Sequence, residues 1–156
     1  MNLTYSPGPG FLVSLPGLAF LTPDERLARR AWATIGTCGR VDDLLVALLR
    51  DGLPATAAFV LVDLSAERVR VLARGELAVR VDGPAGAVAW TGAGVTTWSE
   101  RVFDRVTDVV VDDGTGPDPL PLREGLVRCA GFELHAAAPA GTAAEPIAAA
   151  PPKWTP

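Results

Sequence analysis

His135 is the sole histidine in a chain of 156 residues, so any imidazole chemistry must run through it. It falls where the last apolar alternation gives way to an Ala/Pro-rich tail, a poor seat for a general base that needs rigid positioning. Ser14, Ser65 and Ser99 lack the G-x-S-x-G turn of a hydrolase nucleophile, and a triad would have to recruit that same histidine. Asp112, Asp113 and Asp118 share a Gly-rich loop without the ligand alternation and closing glutamate of a calcium-binding EF-hand, so they read as solubilising loop acids. Cys38 and Cys129 lie 91 positions apart, without the paired spacing of a zinc or redox motif, and are expected as buried thiols. "GTGPDP" and "TGAG" lack the Lys-Ser/Thr or strand–helix context of a phosphate cradle. Trp32, Trp90 and Trp98 read as packing anchors. No catalytic residue, cofactor site or metal site is read, and the chain is expected not to be an enzyme.

The remaining chemistry is a row of guanidinium groups. "RVRVLARGELAVRV", residues 68–81, sets apolar residues at odd positions and Arg68, Arg70, Arg74 and Arg80 at even ones, the alternation of a half-buried strand. Pairing Val71 with Leu77 and Val69 with Val79 keeps the faces consistent only if Ala73, Arg74 and Gly75 form a three-residue hairpin loop, with Gly75 left-handed. That hairpin would gather Arg68, Arg70 and Arg80 on one outer face, the candidate surface for an acidic partner. Glu67 and Glu76 offset part of the charge and no aromatic residue interleaves, so the face reads first as solvated.

The elements that position these residues form one domain over residues 1–135. The composition is 49% hydrophobic with 16 Gly and 14 Pro, which suits a folded, turn-rich unit with short helices. A net charge of −4 opposes nucleic acid or anionic lipid, whose capture requires clustered positive charge. The apolar start has no basic leader and is interrupted by Pro7, Pro9 and Pro16, so it is not read as a signal peptide. No apolar run reaches the roughly 18 residues of a membrane span, so no membrane insertion is expected.

"FLVSLPGLAFL" predicts a hairpin turning at Pro16-Gly17. Thr22 as N-cap, Pro23 in the first turn and Asp24 and Glu25 after it predict a helix with Leu27, Ala31 and Ile35 inward. "RVDDLLVALLRDG" predicts a second helix burying Val41, Leu44, Leu45, Leu48 and Leu49, stopped at Gly52. "AAFVLVDL" reads as a central strand. Further strands are expected in "GAVAWTG", around Val95 and Thr97, and at Val109–Val111, followed by a loop through "DDGTGPDPLPL". "EGLVRCAGFELH" closes the fold with Leu126, Cys129, Phe132 and Leu134 in the core. Residues 136–156 read as an Ala/Pro-rich linker, which suggests the front piece of a longer polypeptide. The fold class expected is α+β: mainly antiparallel sheet, as a sandwich or partly open barrel, with two helices packed on it.

Taken in order, "LLVALLRDGLPATAAFVLVDL", "VRVLARGELAVRV", "TTWSERVF" and "LPLREGLVRCAGFEL" make residues 3–135 resemble the N-terminal region of actinobacterial forkhead-associated (FHA) domain-containing proteins. There, a V-x-V-L-x-R-G-x-x-x-V hairpin and a T-W-x-E-R segment precede a Pro/Ala-rich linker and a phosphothreonine-reading domain. Gly39-Arg40 is not followed by the Ser-x-x-His pocket of that reader, so this stretch is not expected to bind phosphothreonine. The resemblance implies a cytoplasmic accessory domain in a Ser/Thr-kinase signalling setting. The functional expectation is a non-enzymatic protein-interaction domain, with a small-ligand-binding domain holding a pocket between sheet and helices as the alternative.

Overall fold

A computed structural model describes residues 2–112 and 116–136; Asp113 and the expected linker beyond Ala136 lie outside them. Among the described residues nine strands are formed: β1 Asn2–Leu15, β2 Leu18–Thr22, β3 Phe59–Asp63, β4 Val69–Gly83, β5 Gly86–Gly92, β6 Ser99–Phe103, β7 Asp108–Val111, β8 Leu120–Leu122 and β9 Gly125–His135. Two helices, α1 Glu25–Cys38 and α2 Val41–Leu48, fall between β2 and β3. Every ladder is antiparallel, and β1, β2, β3, β4, β7 and β9 pair in that order and back to β1, closing a barrel. The expected antiparallel sheet carrying two helices is therefore present, in the closed form. No helix among the described residues is long and apolar enough to cross a membrane.

Strict alternation along the strands divides the apolar residues between two cores. Leu12, Ala19, Leu21, Val60, Val62, Val69, Val71, Val79, Val81, Val109, Val111, Phe132 and Leu134 fill the barrel. Their neighbours on the outward face, Phe11, Val13, Leu18, Phe20, Phe59, Leu61 and Leu72, pack under the helices against Leu27, Ala31, Val41, Leu44, Leu45 and Leu48. This explains why β2 and β3 read as continuous apolar runs: both of their faces are covered. Leu49, expected on the buried face of α2, is only half-buried, and Leu126 packs against the helix-side core rather than inside the barrel.

Two local expectations are corrected. The N-cap of α1 is Asp24, whose side chain accepts the Arg26 and Leu27 N–H groups at 2.8 and 3.2 Å. Thr22 is fully buried at the end of β2 and its hydroxyl donates across to the Ala58 carbonyl at 2.8 Å, so tertiary burial claims the side chain that local sequence assigns to the cap. The second correction concerns residues 68–81, which form no hairpin. β4 runs unbroken through Gly75, with Val71 paired to Val62 and Arg101, and Val79 paired to Trp90 and Val111. Gly75 does adopt φ +79°, but that conformation bends the strand, and the ladder to β5 shifts register between Gly75 and Val79. An odd-numbered loop and a bent continuous strand preserve the same parity, so alternation could not separate them.

Val95 and Thr97 lie in the connection between β5 and β6 rather than in a strand. The "DDGTGPDPLPL" stretch contains the short strand β8. The Pro-rich start, "NLTYSPGPG", is the first part of β1, and its prolines Pro7 and Pro9 occupy the register shift between Ser6 and Gly10, where missing N–H donors cost no ladder bond.

Candidate functional site

β4 outgrows the barrel. Its first half carries β3 on one side and β6 on the other, and its second half carries β5 and β7. β5, β6 and β8 each join the sheet by one ladder, so among the described residues each leaves one edge unpaired. Such edges present free N–H and C=O groups to any extended chain, and proteins ordinarily blunt them with charge, proline or shortness. β8 is three residues long and centred on Pro121. β6 carries Glu100 and Arg101, and Arg70 fixes Glu100 with Nε at 2.8 Å from its carboxylate. β5, "GAVAWTG", is seven residues long and has neither charge nor proline; Ala87, Ala89 and Thr91 are exposed along it.

The bend in β4 builds the surroundings of that edge. A Cβ at Gly75 would sit 2.6 Å from that of Ala58, and one at Gly92 would collide with the Ala73 carbonyl, so glycine at both points lets the two halves of the sheet fold towards each other. Trp90 of β5 thereby meets Phe103 of β6 with ring centroids 5.8 Å apart, and the Arg101 guanidinium lies 4.7 Å over the Trp90 ring. Under the β4–β5 turn the fold leaves a cavity of about 370 Å³, walled by Val81, Pro84, Val88, Val102 and Phe103 with Arg105 on its lining.

The arginines singled out in the sequence occupy two separate places. Arg68 just precedes β4, Arg70 lies in its first half and Arg80 in the second, beyond the bend, and each has an internal carboxylate. Arg68 pairs with Asp104 at 2.5 Å, Arg70 with Glu100 and with Asp42 of α2 at 3.2 Å, and Arg80 with Asp82 at 3.1 Å. Hydrogen bonding and charge from Arg68 hold the Asp104 carboxyl below the usual carboxylate range. Arg74 is a structural tether, its guanidinium donating to the carbonyls of Leu53, Thr56, Thr96 and Thr97. The outcome is that Asp104, Glu100 and Asp82 each have an arginine partner. Arg105 has no ion pair or hydrogen bond from its side chain among the described residues, and Arg101 engages only the Trp90 ring.

Other reactive groups are placed as follows. Cys129 is buried in the barrel, and burial pushes its thiol up to about 12, which keeps it protonated and inert. Cys38 ends α1, its side chain outside the described residues. Ser14 is buried and donates to the Arg123 carbonyl at 3.2 Å; Ser65 hydrogen-bonds Asp63. His135 ends β9 with Nδ1 against Asp108 and Nε2 3.9 Å from Glu133; these three are close enough to share a metal ion, yet the imidazole and Asp108 already satisfy each other. Sequence reasoning read β5 as a strand but missed its open edge and the two arginines beside it. The available signal was the lack of any charge or proline in "GAVAWTG". No family model, curated protein or solved structure matches this chain.

Proposed function

We propose that this chain is a non-enzymatic protein-interaction domain that docks its partner along the open edge of β5. The observation that carries the proposal is that β5, alone among the three open edges described above, has neither charge nor proline to deter strand pairing. Strand addition at such an edge gives affinity through main-chain hydrogen bonds. The resemblance to the N-terminal region of FHA-domain proteins supports a cytoplasmic signalling setting, in which this domain recruits a partner while a separate domain reads phosphothreonine.

A photo-crosslinking amino acid placed at Ala89, and in a second protein at Glu100 on β6, tests this in an actinobacterial host. Discrete protein adducts are expected from Ala89 alone, and Thr91→Glu should suppress them. Absence of adducts from Ala89, or equal adducts from both positions, overturns the proposal. Small-molecule binding draws on a different observation, a bowl of about 480 Å³ at the β1 register shift lined by Gly10, Leu21, Leu77, Asp112 and Cys129. A smaller cleft of about 220 Å³ lies between sheet and helices, lined by Leu15, Leu18, Ile35 and Val41, and a co-purifying mass in native mass spectrometry would identify an occupant.

A further inference from the structure

We infer that the strand added to β5 is an acidic one that inserts an apolar side chain into the cavity under the β4–β5 turn. The inference rests on the docking reading above and names its partner's chemistry. Main-chain pairing at an edge is blind to sequence, so selectivity must come from side chains, which alternate between the two faces of the added strand. On the face shared with Val88 and Trp90, the added strand borders the cavity of about 370 Å³ walled by Val81, Val88, Val102 and Phe103. Val88 and Phe103 are only half-buried, so part of this apolar wall is left uncovered. An aliphatic or phenyl group from the incoming strand would bury it.

Charge decides the rest. Asp104 lines the same cavity, but Arg68 neutralises it; Glu100 is likewise taken by Arg70. Arg101 and Arg105 form no close ion pair among the described residues, Arg105 acting on Asp104 only through its charge at longer range. The surface beside β5 is therefore cationic in a chain whose net charge is −4, and an acidic segment is both attracted and steered to it. A second copy of this chain is a worse occupant. Two copies joined through β5 about a two-fold axis would place both sets of unpaired arginines on one face of the joined sheet, where like charges oppose association.

The test uses the full chain and fluorescence anisotropy with labelled synthetic peptides: one alternating Glu with Val and Leu, its Lys counterpart, and versions of the first N-methylated at alternate backbone amides in either phase. The acidic peptide should bind at least about ten-fold tighter than the Lys peptide, with the difference shrinking as salt is added. One phase of N-methylation should abolish binding. Arg105→Glu should erase or reverse the charge preference while circular dichroism stays unchanged, and Ala89→Glu should weaken the acidic peptide. Equal binding of the acidic and Lys peptides, or tolerance of both methylation phases, overturns the inference. Failure of every peptide to bind while crosslinks from Ala89 persist overturns the inference and leaves the docking edge standing; failure of both removes the edge as well.

Discussion

β5 and β6 hang from the same strand, have neighbouring aromatic residues in contact, and leave one edge each unpaired, yet their edges are chemically opposite. β6 is short, charged and bound to β4 by Arg70 as well as by its ladder. β5 is longer, uncharged and free of proline. The half of β4 that bears β6 is also the half whose Leu72 lies beneath α1 and α2, whereas β5 reaches beyond that cover. One half of the strand is thus buttressed and edged by charge, and the other carries an edge with neither charge nor proline. The two edges differ in length and in a few side chains, and on the proposed function those differences decide which edge docks a partner.

The strongest way to break this comparison is to straighten the strand that separates the two halves. Gly75→Val forces a β-branched residue to φ +79° and against Ala58, and is expected to cost about 2–6 kcal/mol from backbone strain and overpacking together. Chemical denaturation should show it; a loss under about 1 kcal/mol would mean the bend does not depend on glycine. Leu45→Ala strikes the buttress alone. Leu45 is 8% exposed, and truncation should cost roughly 2–5 kcal/mol. Val46→Ala, one residue on and 74% exposed, should stay within about 0.5 kcal/mol. A harmless Leu45→Ala would detach the helices from the closed half.

Replacing Arg68, Arg70 and Arg80 together by Ser should change stability by no more than about 1 kcal/mol, because exposed ion pairs contribute little. It also sharpens the comparison, since freeing Asp104 and Glu100 should weaken capture of an acidic strand at β5, seen as a lower association rate. Unaltered capture would show that those pairs do not set the local charge. The smallest effect expected concerns Cys129. Its folded-state ionisation lies above the value of an unfolded thiol, so the stability it contributes is complete below about pH 9 and is lost between there and about 12. In a Cys38→Ser variant the folded protein should resist thiol reagents at pH 8, and rapid labelling of Cys129 would contradict the burial.

Much of the barrel was legible because its strands obey period two and its second helix obeys the helical period: Val69, Val71, Val79 and Val81 all face inward as their spacing demands, and Leu44, Leu45 and Leu48 all bury. What was hidden depended on partners distant in the chain. Nothing local tells Asn2–Gly10 that Phe132 and Leu134 will pair with it across two prolines, nor tells Thr22 that Ala58 will claim its hydroxyl. The bend at Gly75 was visible as a special backbone position, but its role was not. The open edge of β5 is a property of what does not pair, and local pattern reports only on residues that do.

The ladder joining β1 to β9 sets Asn2 opposite His135 and Ser14 opposite Gly125. Every rung of it closes a loop of more than 100 residues, so the entropy of that closure is met before any of its contacts form. Refolding should accordingly be limited by this one seam and run in the range of milliseconds to seconds common to sheet-rich domains. During synthesis the ring stays unclosed until β9 has left the ribosome, and until then β1 itself has a vacant side. In that interval the nascent chain has more than one strand available to a passing partner, and speed of closure guards it against addition at the wrong place.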